Sequence, residues 1–128
     1  MPKLSEVIEH DPVTVEPHEP LSRAAQRMYD HRIGSVVVVD DDGALVGIFT
    51  ERDLMRASAA GVDTHRATVG RWMTGDPVVA NATDEAAAAL QVMIDNGFRH
   101  LPVIGEGGLI GVVSMRSLST VLQKARMG

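Results

Sequence analysis

The sequence predicts a mixed α/β (α+β) fold made of two β-α-β-β-α repeats packed about a pseudo-two-fold axis, and three observations carry this reading. The chain repeats itself, Asp11-Pro12-Val13 returning as Asp76-Pro77-Val78 at an offset of 65 residues. At that same offset Leu21, Ala24, Ala25 and Met28 fall on Ala86, Ala89, Leu90 and Met93, and each set has the i, i+3, i+4, i+7 spacing of one apolar helix face. Each face is followed by a β-branched run too short for a helix and continuously apolar, as strands buried on both sides are.

Each element follows in order. Asp-Pro-Val opens a short strand, and Pro20 suits the first helical position of the helix beyond it. In the second copy Thr83-Asp84-Glu85 supplies a cap and negative charge for the helix dipole. The runs Ser35-Val36-Val37-Val38-Val39 and Leu101-Pro102-Val103-Ile104 are the core strands. Asp40-Asp41-Asp42-Gly43 and Gly105-Glu106-Gly107-Gly108 are turns, leading to Leu45-Val46-Gly47-Ile48-Phe49 and Leu109-Ile110-Gly111-Val112-Val113 and so closing two hairpins. The glycines of these last strands are 64 apart, so the second turn is one residue shorter. Polar tetrads, Thr50-Glu51-Arg52-Asp53 and Ser114-Met115-Arg116-Ser117, then open the last helix of each copy. Gly61-Val62-Asp63-Thr64-His65-Arg66 links the copies, which are assigned to residues 1–64 and 65–128. A unit of about 60 residues buries too little surface to be comfortable alone, so the two are expected to fold together.

Composition narrows the function. With 128 residues and 45% hydrophobic content the chain can build a core, but at 3% aromatic residues it offers no platform for stacking exposed bases. A net charge of -5 repels a phosphate backbone overall, so nucleic acid is not expected as a partner. The absence of cysteine removes disulfides and thiolate metal sites. No window approaches the roughly 20 apolar residues that span a bilayer, and the start carries no leader pattern, which leads to the expectation of a soluble, cytoplasmic protein without membrane contact. No catalytic triad, phosphate loop or paired-acid arrangement stands out, and the histidines show no tight ligand spacing, so neither an enzyme nor a metal site is expected.

The order of these elements resembles the cystathionine-beta-synthase (CBS) domain, whose tandem pair is called a Bateman module, and the likeness runs from about Leu4 to Leu122. In the second copy Gly97-Phe98-Arg99-His100-Leu101-Pro102-Val103 is similar to the family's glycine, hydrophobic, any, hydrophobic, proline pattern. The first copy, with Arg32-Ile33-Gly34-Ser35-Val36-Val37, lacks both the basic pair and the proline. The resemblance implies a non-catalytic sensor that takes an adenine nucleotide (AMP, ADP, ATP or S-adenosylmethionine) as a regulatory ligand in the cleft between the copies, with no required cofactor. It further implies a homodimer and an effector protein on another chain.

It also implies which residues serve. The acid of the Ser/Thr-x-x-Asp tetrad accepts hydrogen bonds from the ribose hydroxyls, and an ionised carboxylate does offer paired acceptors to vicinal hydroxyls. Thr50, Arg52 and Asp53 with Phe98, Arg99 and His100 form the principal candidate site, the basic pair for phosphate and Phe98 as an adenine wall. Ile33, Gly34, Ser114, Arg116 and Ser117 form a weaker one, because Ser117 stands where the carboxylate belongs. Two alternatives stay open. Thr50-x-x-Asp53 has the spacing of a capping box, which needs no ligand at all. The whole chain also fits a ligand-free interaction or dimerisation module, given the altered second tetrad and the missing proline of the first copy.

Overall fold

A computed structural model of the chain describes residues 1–8 and 10–127. Its order of elements is α1 (Leu4–Val7), β1 (Thr14–Val15), α2 (Leu21–His31), β2 (Ser35–Val39), β3 (Leu45–Thr50), α3 (Glu51–Ala59), α4 (Val69–Trp72), β4 (Thr74–Gly75), β5 (Ala80–Asn81), α5 (Ala86–Asn96), β6 (His100–Gly105), β7 (Gly108–Ser114) and α6 (Met115–Met127). The predicted helix, hairpin and closing helix are present in both copies, and the fold is mixed α/β with two sheets. The chain divides into two compact units, Val13–Pro77 and a split unit formed by Met1–Pro12 with Val78–Gly128.

In the unit Val13–Pro77 the sheet order is β1-β2-β3-β4. Strand β1 runs parallel to β2, with Thr14 opposite Val37, while β2 and β3 form the antiparallel hairpin that sets Ser35 opposite Thr50. Its turn is closed by Asp40, whose Oδ1 accepts from the amides of Asp42 at 2.9 Å and Ala44 at 3.0 Å, with Gly43 at a φ of 82°. The helix stripe Leu21, Ala24, Met28 packs with Val36, Val38 and Phe49 into one core, and Phe49 is its largest fully buried side chain. Helix α2 ends on Arg32 in the left-handed region at a φ of 55°, where the second copy has Gly97 at 76°. Pro20 is the cap of α2 and lies one residue ahead of the position expected, because its ψ of 155° is still extended.

The split unit repeats this plan with a three-stranded sheet, β5-β6-β7. Strand β5 is parallel to β6, and the β6–β7 hairpin pairs His100 with Ser114 and Gly105 with Gly108. Its core gathers Ala86, Ala89, Met93, Leu101, Val103 and Leu118 with Leu4 of the amino-terminal segment. That segment is bound by the backbone: the amides of Leu4 and Ser5 donate to the carbonyls of Asp84 and Ala82 at 2.9 and 3.0 Å, and the amide of Ala86 donates to Pro2 at 2.9 Å. The cap of α5 falls within the expected Thr83-Asp84-Glu85, but no side chain of the three bonds to the helix start. The Asp84 carboxylate accepts from the Asn81 amide at 2.9 Å instead, and Glu85 becomes the cap residue without a side-chain bond.

The boundary of the repeat in sequence and the boundary of packing in space therefore fall at different places. Helix α4, the counterpart of α1 at the 65-residue offset, packs in the unit Val13–Pro77, where the Leu21 amide donates to Ala67 at 3.0 Å and the Val69 amide to Glu19 at 2.9 Å. Each copy thus gives its opening turn of helix to the other unit. Gly61–Arg66 lies inside the unit Val13–Pro77, and the chain passes between units at Pro12–Val13 and Pro77–Val78.

The paired glycines of β3 and β7 make room for these exchanged segments. A Cβ on Gly47 would stand 2.5 Å from Met73 Sδ and 2.9 Å from the Thr74 carbonyl oxygen, whereas one on Gly111 would meet only the Ile8 side chain under 3 Å. A backbone oxygen cannot swing aside as a side chain does. Gly47→Ala is therefore expected to cost about 1–3 kcal/mol in urea melts and Gly111→Ala clearly less. Equal losses at the two positions would show that β4 yields as readily as Ile8.

Candidate functional site

The two tetrads are helix starts, and each is tied to the strand hairpin beneath it. Hairpin register puts Thr50 opposite Ser35, and the Glu51 amide at the first position of α3 donates to the Gly34 carbonyl at 3.0 Å. The split unit makes the same bond, the Met115 amide donating to Arg99 at 2.8 Å, with Ser114 opposite His100. The sequence between helix and first hairpin strand is thus held under the start of the last helix in both units. Ile33 and Gly34 accompany Thr50 and Asp53, while Phe98, Arg99 and His100 accompany Ser114 and Ser117.

Asp53 is the most constrained of these residues. It is 6% exposed and closes a reciprocal capping box: the Asp53 amide donates to Thr50 Oγ1 at 3.2 Å, and the Thr50 amide donates to Asp53 Oδ2 at 2.9 Å. The Thr50 hydroxyl also donates to Oδ2, at 3.1 Å. The other oxygen, Oδ1, lies outside the cap and accepts from Arg56 Nη2 at 3.1 Å, and the same nitrogen donates to the Trp72 carbonyl at 3.3 Å. The Arg56 guanidinium stands 5.6 Å from the Trp72 ring centroid, within cation–π range. Arg56 was not among the residues expected from sequence, although its i, i+3 spacing from Asp53 was visible there.

In the split unit a neutral pair builds the same box. The Ser114 amide donates to Ser117 Oγ at 3.0 Å and the Ser117 amide to Ser114 Oγ at 3.0 Å. Position 120, equivalent to Arg56, is Thr120, whose hydroxyl donates to the Arg116 carbonyl at 3.0 Å. The acid and the base are therefore present together in one copy and absent together in the other. Capping needs only one side-chain oxygen at the third helical position. Asp53 brings a second oxygen and a charge beyond that need.

The other candidates divide between solvent and core. Arg52, Arg99 and Arg116 are exposed, and His100, Ser114 and Ser117 are half-buried. Ile33 and Phe98 are partly buried against the cores of their own units. The amides at the first and third positions of α3 donate to Gly34 and Thr50, so two of the donors that a bare helix start offers an anion are already used. Among the described residues no group of three His, Asp or Glu side chains is placed to hold a metal ion, and no helix is long and apolar enough to cross a membrane.

Comparison with known proteins gives the arrangement its place. The CBS domain family model matches twice, over residues 4–60 and 69–124. An uncharacterized 17.7 kDa protein of Acidianus ambivalens is 38% identical over 122 residues, covering 94% of this chain and 73% of that protein. The crystal structure of the CBS-domain containing protein ATU1752 from Agrobacterium tumefaciens superposes with a TM-score of 0.86 at 33% identity, covering 94% of this chain and 92% of that one. The CBS domain protein PAE2072 from Pyrobaculum aerophilum, solved as a complex with AMP, has the same fold at a TM-score of 0.86 and 24% identity, covering 98% and 99% of the two chains. Two family matches spanning both sequence repeats, each carrying its hairpin and its capped closing helix, establish that the chain belongs to the CBS domain family as a tandem pair.

Proposed function

We propose that this CBS pair is a non-catalytic sensor that binds an adenine nucleotide, with Asp53 accepting hydrogen bonds from the ribose hydroxyls. The observation that carries the reading is the contrast between the two capping boxes. Ser117 satisfies its box with a hydroxyl, so the Asp53 carboxylate is not required for capping, and its Oδ1 lies beyond the cap as an acceptor. A carboxylate oxygen there suits a sugar hydroxyl, and the AMP complex of PAE2072, a protein of the same fold, supports a ligand of that class. In this reading occupancy is sensed at an interface with a second copy of the chain or with a partner protein.

One observation favours the ligand-free interaction module instead. Asp53 is 6% exposed and already accepts three hydrogen bonds, and its counterpart is neutral. A thermal-shift panel of AMP, ADP, ATP and S-adenosylmethionine separates the two. A ligand at 100 times its dissociation constant stabilises the fold by about 2.7 kcal/mol, which for a domain of this size raises the midpoint by on the order of 10 °C. At least one member of the panel is expected to do this, with sedimentation of the same samples reading any change in assembly. Four flat responses at millimolar concentration leave the interaction module as the function.

A further inference from the structure

The Asp53 carboxylate has little acceptor capacity left. Its two oxygens offer about four lone-pair sites, and three are used, by the Thr50 amide, the Thr50 hydroxyl and Arg56. A vicinal diol donates two hydrogen bonds, so one existing donor must leave. The Thr50 pair sits within the part-buried cap, whereas the Arg56 side chain is 53% exposed and water readily replaces its partner. Arg56 is the donor that gives way.

Its departure reaches further than the helix. One nitrogen of Arg56 holds both Asp53 Oδ1 and the Trp72 carbonyl, so losing the first bond frees the guanidinium to leave the second and the Trp72 ring. Trp72 begins the stretch that carries the chain out of the unit Val13–Pro77. Four residues on, Asp76 adopts a φ of 48° immediately before Pro77, a strained backbone in a segment held to its sheet by the pairing of Gly75 with Gly47 and by the Asp76 amide, which donates to the Val46 carbonyl. The split unit has neither the acid nor the base, carrying Ser117 and Thr120 at the equivalent positions.

We infer that Arg56 is a positioning residue that couples Asp53 to the exit segment Trp72–Pro77, and that a diol ligand engaging Asp53 displaces it. The displacement rests on the nucleotide reading above, but the coupling itself can be tested without any ligand. Trp72 is the only tryptophan of the chain and reports on its own environment. In Asp53→Asn the carbonyl oxygen keeps the cap and the amide turns a donor toward Arg56, which expels it. Arg56→Gln removes the guanidinium directly. Both variants are expected to shift Trp72 emission to the red and raise its quenching by acrylamide to the same degree, and the double variant no further. A change in Arg56→Gln with wild-type emission in Asp53→Asn would show that Arg56 rests on Trp72 without Asp53, and would overturn the coupling, as would no change in either.

Adenosine, which carries the diol without phosphate charge, then tests displacement. It should shift Trp72 emission in the wild type as the variants do and leave Arg56→Gln unshifted. By calorimetry Arg56→Gln should bind adenosine roughly two- to five-fold more tightly, because no partially exposed ion pair remains to be broken. Weaker binding in that variant means that Arg56 supports the ligand rather than competing with it, and sinks the displacement. Absence of adenosine and AMP binding to the wild type fails the nucleotide reading and the displacement together, while the ligand-free emission still decides the coupling.

Discussion

Leu4→Ala is expected to destabilise the protein by about 2–5 kcal/mol, as much as a truncation in the centre of the core, although Leu4 is the fourth residue of the sequence. Its side chain is 0% exposed and belongs to the cluster of Met93, Leu101, Val103 and Leu118, all from the second copy. Truncation removes apolar surface and leaves a hole whose walls cannot easily collapse, because the segment is pinned at Pro2, Leu4 and Ser5 by backbone hydrogen bonds. Ser5 is exposed next to it, and Ser5→Ala should stay within about 0.5 kcal/mol. Urea melts of the two variants measure the difference. Hydrogen exchange should locate the loss in β6, β7 and α6 before it reaches β2 and β3. A Leu4→Ala variant as stable as Ser5→Ala would mean that the amino-terminal segment does not complete this core.

That exchange of opening segments is also what the sequence hid. The eleven-residue helices, the hairpins and the tetrads announce themselves through local pattern: an apolar period, a run of β-branched residues, a hydroxyl three positions before an acid or its substitute. Leu4–Val7 and Val69–Trp72 are four residues each, too short to show any period, and β1, β4 and β5 have two residues each. Their partners are chosen by packing between residues about 50 to 100 positions apart or by one sheet edge, which no local rule reports. The acid turn before α5 shows the same limit. Asp84 looks like a cap but is taken by Asn81, because the chain must first turn out of β5.

The candidate site was legible as chemistry and incomplete as geometry. Thr50 and Asp53 were visible as a tetrad, and both readings of it, ribose acceptor and capping box, could be written down without the structure. The structure establishes the box and adds what spacing alone did not bring out, the Oδ1 bond to Arg56. The link to Trp72 spans 16 residues and is set by where α4 docks, so it had no sequence signal of its own. The hydroxyl of Ser117 in the equivalent box is the most informative of these details, since it shows a cap of the same form working without charge.

Asp53→Ala is expected to lower affinity for AMP by about 30- to 1000-fold, and Asp53→Ser separates that loss from the loss of the cap. If the carboxylate receives two ribose hydroxyl bonds, removing it forfeits about 2–4 kcal/mol of binding, since charge-assisted bonds in a nearly buried position are the stronger ones. Alanine also removes the partner of the Thr50 amide and should reduce stability by about 1–2 kcal/mol. Serine restores one oxygen at the third helical position, as Ser117 does in the split unit, and should recover most of that stability. It leaves Arg56 without its acid, but that side chain is half-exposed and finds water. Affinity is a different matter, because a single hydroxyl cannot offer the paired acceptors of a carboxylate. Asp53→Ser should therefore melt near the wild type and bind AMP nearly as poorly as alanine. Ser117→Ala completes the set, costing about 1 kcal/mol of stability with unchanged affinity. Calorimetry with urea melts on all four proteins reads both quantities, and AMP binding by Asp53→Ser at wild-type strength would show that Asp53 is a cap and nothing more.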